Sequence, residues 1–432
     1  MTSRSGSSRR WPLLAVWLIV APIGLLSGAL WFLRWRGARA DEAIEASWRR
    51  TLGGRTFLER YPATEDNRTT LGLEALGCGL GIDMAPIETP GRCHPSPEAA
   101  SRFKAIQPAL KKLLDPTTIA EDGALAAPPV ALANYLAASR PTLDRATALL
   151  LTSPAPVWKL NLAAGFHLKI PNFLGVSNLE RLLVAQAREQ ARAGRIDAAF
   201  EGLEAAWKYN QAILDQPTLI GQLIGQTILK MQLAALRGMP RAPAGWPARL
   251  TDLDLRHRMF MALQADVFIA FHTSTFDRPP PGAGVRPWWL ARWALRDYTR
   301  RVQPILDELP RREVRSFNPD DFEREMRDRM PRWQFIARQL VPNFWDAWPR
   351  TAHLELASEL TALALLERER LATGGPPRTF HQRPSRVEGL RWIYEDLPLG
   401  TRIRIDGRFL YPGPRPLPLT FLVRTAKPAA GT

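Results

Sequence analysis

Two cysteines, six histidines and eight lysines are all that this 432-residue chain has of those types. Cys78, Cys93 and His94 lack the paired C-x-x-C spacing of structural zinc sites. His94, His167, His257, His272, His353 and His381 include no H-E-x-x-H pair or other close ligand pair. No G-x-S-x-G elbow, G-x-x-x-x-G-K-[ST] loop or G-x-G-x-x-G turn is present; Gly79-Leu80-Gly81 lacks the third glycine. The sequence therefore nominates no catalytic residue, no cofactor-binding residue and no metal ligand. It also carries no nucleic-acid-binding motif.

Long apolar runs are equally scarce, and there is one. Trp11 to Leu33 contains no charge and is rich in Leu, Ile, Val, Ala and Trp. As a helix it would rise about 1.5 Å per residue, enough to cross roughly 30 Å of hydrocarbon with some tilt. Trp11 and Trp31 sit near its ends, where amphipathic rings favour the interface. Arg4, Arg9 and Arg10 precede it and Arg34, Arg36 and Arg39 follow, which blunts the positive-inside rule. Ala38-Arg39-Ala40 has the form of a signal-peptidase site, but a signal-peptide core spans only about 7–15 residues. The run reads as an uncleaved single-pass inner-membrane anchor, with residues 1–10 a short basic cytoplasmic tail and the rest of the chain periplasmic or extracellular.

The formal charge is +16, and arginine supplies 50 of the 58 basic residues. That excess favours acidic partners such as anionic lipid head groups. Cys78 and Cys93 lie in a Gly/Pro-rich stretch, fifteen residues apart. An even cysteine count in an exported domain fits a disulfide, with free buried thiols or a metal site as rivals.

Past the anchor the pattern is helical. Ile44, Trp48 and Leu52 recur every four residues. Residues 53–97 read as an ordered Gly/Pro-rich loop region, with an Asn67-Arg68-Thr69 glycosylation triplet. A helix is expected over 97–115, with shorter ones at 130–138 and 143–152 punctuated by Pro141; 157–176 reads as irregular. Ser177 with Glu180 looks like a capping box. Three helices then follow, broken at Gly194, Pro217 and Gly238, with Phe200, Leu203 and Trp207 facing Ile220, Ile224 and Ile228. Thr251 should cap another helix through His272.

Leu183, Ala187, Gly194, Ala199, Leu203 and Ala206 fall at the small and apolar spacings of a tetratricopeptide unit, so 180–211 resembles one such repeat. Gln186 and Gln190 depart from that pattern, and Gln211 replaces its closing proline. The run LLVAQAREQARAGRIDAAF through DQPTLIGQLIGQTILKMQLAAL, together with the anchor, resembles uncharacterised bacterial exported helical proteins. That resemblance implies an N-terminal anchor and helical hairpins, and no activity.

FDRPPPGAGVRP within 273–287 reads as a linker. In the helix that follows, Trp288, Trp289 and Trp293 stand among arginines that include Arg292 and Arg296. They form either an interfacial surface or core filling. Arg311 to Arg329 reads as a solvated, highly charged face, and a last long helix carries Leu356, Leu360 and Leu363. In the tail, Arg402–Ile405, an Asp406-Gly407 turn and Arg408–Tyr411 suggest a hairpin, with a third strand near 419–423. A helix followed by Gly-Pro and a small hairpin faintly resembles the C-terminal module of pseudopilin-like proteins.

The expected fold is mainly α: a transmembrane helix at 11–33, then an irregular helical-hairpin domain with a small C-terminal β-hairpin. Its parts are a helical domain at 41–272, the linker, a second helical part at 288–375 and a β-rich tail at 391–432. The expected function is a protein-interaction or scaffold module of the bacterial envelope. Its expected partners are membrane lipid through the anchor and another envelope protein. The alternative is an envelope hydrolase or transferase whose site is dispersed over several helices.

Overall fold

The computed structural model describes residues 31, 35–86, 91–115, 125–241, 243, 245–276, 288–329, 345–374, 381–407 and 417–424. The expected anchor, apart from Trp31, lies outside these residues, as do 277–287 of the expected linker. The chain is mainly helical, with a four-stranded antiparallel sheet near its end. It divides into two compact units at Arg60–Tyr61.

In the first unit, residues 35–51 form helix α1, which buries Ile44 and Trp48. Two glycines at positive φ, Gly53 and Gly54, turn the chain into α2, Phe57–Arg60. Thr56 and Glu59 form a reciprocal capping box there: the Thr56 N–H donates to Glu59 Oε2 at 2.7 Å, and the Glu59 N–H donates to Thr56 Oγ1 at 3.2 Å. Trp48 and Phe57 meet edge to face at 5.7 Å.

The second unit begins with α3, Arg68–Gly79, which lies inside the stretch expected to be loop. Asn67 caps it, accepting from the Thr70 N–H at 2.9 Å and donating to the Ala155 carbonyl at 2.8 Å. The amide of the apparent glycosylation triplet is thus a structural cap. Next come α4, Pro97–Leu113, capped by Ser96, and α5, Val130–Thr152. Pro141 interrupts the hydrogen bonding of α5 without ending it. A mid-helix proline costs about 3 kcal/mol; one face carrying Leu132, Leu136, Leu143, Ala146 and Leu150 into the core offsets that.

Helix α6 spans Phe173–Arg192, and its cap is Asn172, which accepts from the Gly175 N–H at 3.2 Å. Ser177 and Glu180, expected to form a capping box, instead lie inside α6 with almost no exposure. Ahead of α6 the stretch expected to be irregular holds a single 3-10 segment, Leu162–His167. Helices α7, Ile196–Leu214, and α8, Leu219–Arg237, complete the central hairpins. The three helices pack mutually, and α5 packs on α6 and α7. Leu203 and Ile228 are fully buried as expected. Ile220 is not: it is 45% exposed, and Phe200 and Ile224 only border the core. The buried face of α8 is instead set by Leu219, Gln222, Gly225, Gln226 and Leu229. Polar Gln222 tolerates that position because its amide donates to the Leu214 and Gln216 carbonyls.

Helix α9 is Trp246–Thr251, so Thr251 ends a helix rather than starting one. The cap of α10, Leu255–Thr273, is Asp254, which accepts from the His257 N–H at 3.1 Å. Helix α11 is Trp288–Glu308, and α12 is Pro319–Asp328, capped by Asn318. Helix α13, Ala347–Ala372, packs against α8, α9 and α10, so the helices on both sides of 273–287 share one body. It is buried nearly all round between Ala347 and Leu365. Of the described helices only α8 is long and apolar enough to cross a bilayer, and 72% of its apolar window is buried inside the fold.

The sheet runs β1 (Gln382–Pro384), β2 (Arg391–Leu397), β3 (Gly400–Asp406) and β4 (Thr420–Arg424), in that spatial order. The expected pairing of Arg402–Ile405 with Arg408–Tyr411 is excluded, because β2 and β4 hold both edges of β3; Arg408–Tyr411 themselves lie outside the described residues. Ile403 pairs with Tyr394 on one side and Phe421 on the other, and the tight turn is at Pro398-Leu399. Gly400, at φ +142°, permits that turn, and a Cβ there would lie 2.0 Å from the Val423 carbonyl oxygen. Trp392, Ile403, Phe421 and Val423 close over Leu356, Leu360 and Leu363 of α13 in a second core.

Candidate functional site

A groove of about 510 Å³ opens between α5 and the α6–α7 hairpin. Its floor exists because small residues let helices approach. A Cβ on Gly202 would lie 3.3 Å from that of Ala187, and Gly194, at φ +78°, makes the tight turn between α6 and α7. Along α5 the walls are Arg140, Asp144, Thr147, Ala148, Leu151 and Thr152, which share one face by helical spacing. Gln186 and Gln190 project from α6, Arg195 from the turn just before α7, and Ala198 and Glu201 from α7.

The Gln186 side-chain N–H donates to Asp144 Oδ1 at 2.6 Å, which orients both groups along the floor. Glu189 beside it is held below the usual carboxylate range, first by the Arg192 hydrogen bond and further by Arg195 and Arg140. The lining thus carries both donors and acceptors, and its α5 wall runs from Arg140 to Thr152, about 18 Å at helical rise. Gln186 and Gln190, where the chain departs from the tetratricopeptide pattern, are the two α6 amides that face this groove. That departure was the signal in the sequence.

The other sequence candidates lie elsewhere. Cys78 Sγ is 2.15 Å from Cys93 Sγ, a disulfide closing a loop of fifteen residues. Replacing both cysteines by serine should cost about 3 kcal/mol, the chain-entropy value for such a loop. Chemical denaturation under oxidising conditions measures it, and an unchanged midpoint would show that the bond adds nothing to stability.

Arg292 Nε donates to the Ser274 carbonyl at 2.9 Å, and Arg296 Nε to Ser274 Oγ at 3.3 Å, so both close the C-terminal end of α10. The Trp288 indole N–H donates to the Phe276 carbonyl at 3.1 Å. Trp293 is 40% exposed, and the Trp289 side chain lies outside the described residues. No three of the described His, Cys, Asp and Glu side chains gather to hold a metal ion.

Sequence reasoning missed the buried polar centre where α6, α7 and α8 meet. Gln232 donates to Glu180 Oε1 at 2.6 Å, and Asn210 approaches Gln232 at 3.5 Å. Burial raises the Glu180 carboxyl well above its ordinary value, and it raises the Tyr209 phenol too, with the Glu180 charge adding to the second shift. Glu180 is therefore protonated in the fold above the pH at which it ionises in the unfolded chain. Folding takes up a proton there, so this group's contribution to stability falls as pH rises above about 4.5. Glu180→Gln should raise the melting temperature at pH 8 relative to the parent, with the gap shrinking towards pH 4. A pH series of melting curves tests this, and a gap that widened on acidification would reverse the sign.

No protein-family model, no curated protein and no solved structure matches the chain.

Proposed function

We propose that this is a membrane-anchored helical scaffold of the bacterial envelope that binds an extended segment of another polypeptide in the α5–α6–α7 groove. The observation that carries the reading is the lining of that groove. A peptide backbone presents donors and acceptors in alternation, and Gln186, Gln190, Asp144, Glu201, Arg140 and Arg195 offer both kinds. Leu151, 37% exposed, adds an apolar contact at the rim. At about 3.3 Å per residue, 18 Å accommodates roughly five extended residues.

The anchor is Trp11–Leu33, and the domain faces the periplasm or exterior; the bonded cysteine pair supports an oxidising compartment. A photo-reactive residue at Gln190 in living cells should give one discrete protein adduct, mapping to an extended peptide. Adding Arg140→Glu and Arg195→Glu should abolish it while leaving the melting temperature within about 1 °C. An adduct insensitive to the double charge reversal would sink the groove assignment. A carboxy-terminal alkaline-phosphatase fusion should be active, and activity only of a cytoplasmic reporter would invert the topology.

A further inference from the structure

A second cavity, of about 220 Å³, opens between α3 and the segments around residues 158–171, and it shares no lining residue with the groove. Its size is below the roughly 300–1,000 Å³ of pockets for drug-sized ligands, so its guest is small.

The cavity is electrically polarised. On its floor, Arg92 Nε donates to both oxygens of Glu74, at 2.8 and 2.9 Å, and Arg92 Nη1 donates to Asp66 Oδ2 at 2.7 Å. These side chains are only 16%, 5% and 11% exposed, in the order Arg92, Glu74, Asp66. One guanidinium between two carboxylates leaves the floor with a net charge of −1. The Lys159 backbone N–H donates to the other Asp66 oxygen at 2.8 Å, which fixes the carboxylate without cancelling its charge.

The mouth has the opposite balance. Lys159 pairs with Glu65 at 2.8 Å, with the two side chains 53% and 76% exposed. Lys169 lines the same rim, is exposed, and has no carboxylate partner among the described residues. The rim therefore carries a net +1. Between floor and mouth the walls are apolar: Trp158, Met84, Ile170 and Pro171.

The geometry points to a binding site for a small zwitterion of the α-amino-acid type. Its ammonium would meet the Asp66–Glu74 floor, its carboxylate would face Lys169, and its aliphatic or aromatic side chain would lie against Trp158 and Met84. A simple anion would meet the negative floor, and a simple cation would meet the positive rim; only a guest carrying both charges satisfies each end.

The scaffolding around the floor is built to hold it. Glu74 and Cys78 are one turn apart on α3, so the bond from Cys78 to Cys93 places the neighbouring Arg92 beside Glu74. Met84 is positioned by the chain before it: Asn172 Nδ2 donates to the Asp83 carbonyl at 2.8 Å, and Gly175 lets that backbone press against α6.

The test is calorimetric titration of the full chain in detergent micelles. The probes are L-leucine, L-methionine and L-phenylalanine, with leucinamide, N-acetyl-leucine and Leu-Gly-Gly as arms lacking one charge or moving the carboxylate away. At least one amino acid should bind saturably at one site, with each altered arm at least tenfold weaker. Lys169→Ala, an exposed change, should weaken that binding five- to tenfold without moving the melting curve. Absence of saturable binding by all three amino acids overturns the proposal. Equal binding of leucinamide or Leu-Gly-Gly also overturns it, since a polypeptide N-terminus would then be the guest. So does a Lys169→Ala protein that binds as the parent does.

Discussion

Arg237→Ala is expected to destabilise the domain by about 3–5 kcal/mol, the largest effect anticipated for a single substitution here. Arg237 ends α8 and is 1% exposed. Its guanidinium donates to Thr361 Oγ1 at 2.9 Å, to the Ala357 carbonyl at 2.9 Å and to the Pro418 carbonyl at 2.8 Å. All three acceptors are neutral, and burial lowers its pKa to about 9, so it remains cationic at neutral pH. The Phe421 ring lies 5.9 Å from the guanidinium carbon. Truncation removes a large buried side chain and leaves carbonyls unpartnered. Each charged hydrogen bond is worth about 1.5–3 kcal/mol and the cavity adds to that, while removing the desolvation cost of a buried cation offsets part of the sum. Lysine cannot span three acceptors in a fixed fork, so Arg237→Lys should recover less than half of the loss. Denaturant midpoints measure both, and an alanine variant within 1 kcal/mol of the parent would contradict the assignment.

Leu203→Ala should cost about 2–5 kcal/mol, because Leu203 is fully buried in the core shared by α5 to α8. Arg195→Ala, two residues before Asp197 at the exposed start of α7, should stay within about 0.5 kcal/mol. Ile220→Ala should behave like Arg195→Ala, since Ile220 faces solvent. Thermal and chemical denaturation of the three variants decides the matter. Comparable losses at Leu203 and Ile220 would mean that the burial pattern of α8 is misassigned.

The apolar period of 3.6 made α4, α6, α7 and most of α8 legible, because their buried stripes are continuous. At α13 Leu356, Leu360 and Leu363 marked the helix, but nearly every position from Ala347 to Leu365 is buried, so no single stripe defines its buried face. It misled at Ile220, where a glutamine, Gln222, occupies the core by hydrogen-bonding backbone carbonyls. Ser177 and Glu180 have the spacing of a cap, yet Asn172 caps the helix, and only tertiary packing distinguishes the two. Proline misled at Pro141, since a helix held on its buried face survives one missing hydrogen bond. The sheet register depended on β4, a partner beyond the reach of local turn signals. Of the candidate groove, only Gln186 and Gln190 stood out in the sequence, as departures from a repeat pattern. Its α5 wall comes from residues some forty positions earlier, whose proximity no local spacing reveals.

The contact between Arg237 and the Pro418 carbonyl joins residues 181 positions apart. During synthesis at about 5–20 residues per second, the arginine is made roughly 9–36 s before its last acceptor exists. For that interval α8 ends in a cation with no completed binding shell, and α13 has no sheet to cover Leu356 and Leu360. The body therefore reaches its final packing only after Pro418 and strand β4 have been made.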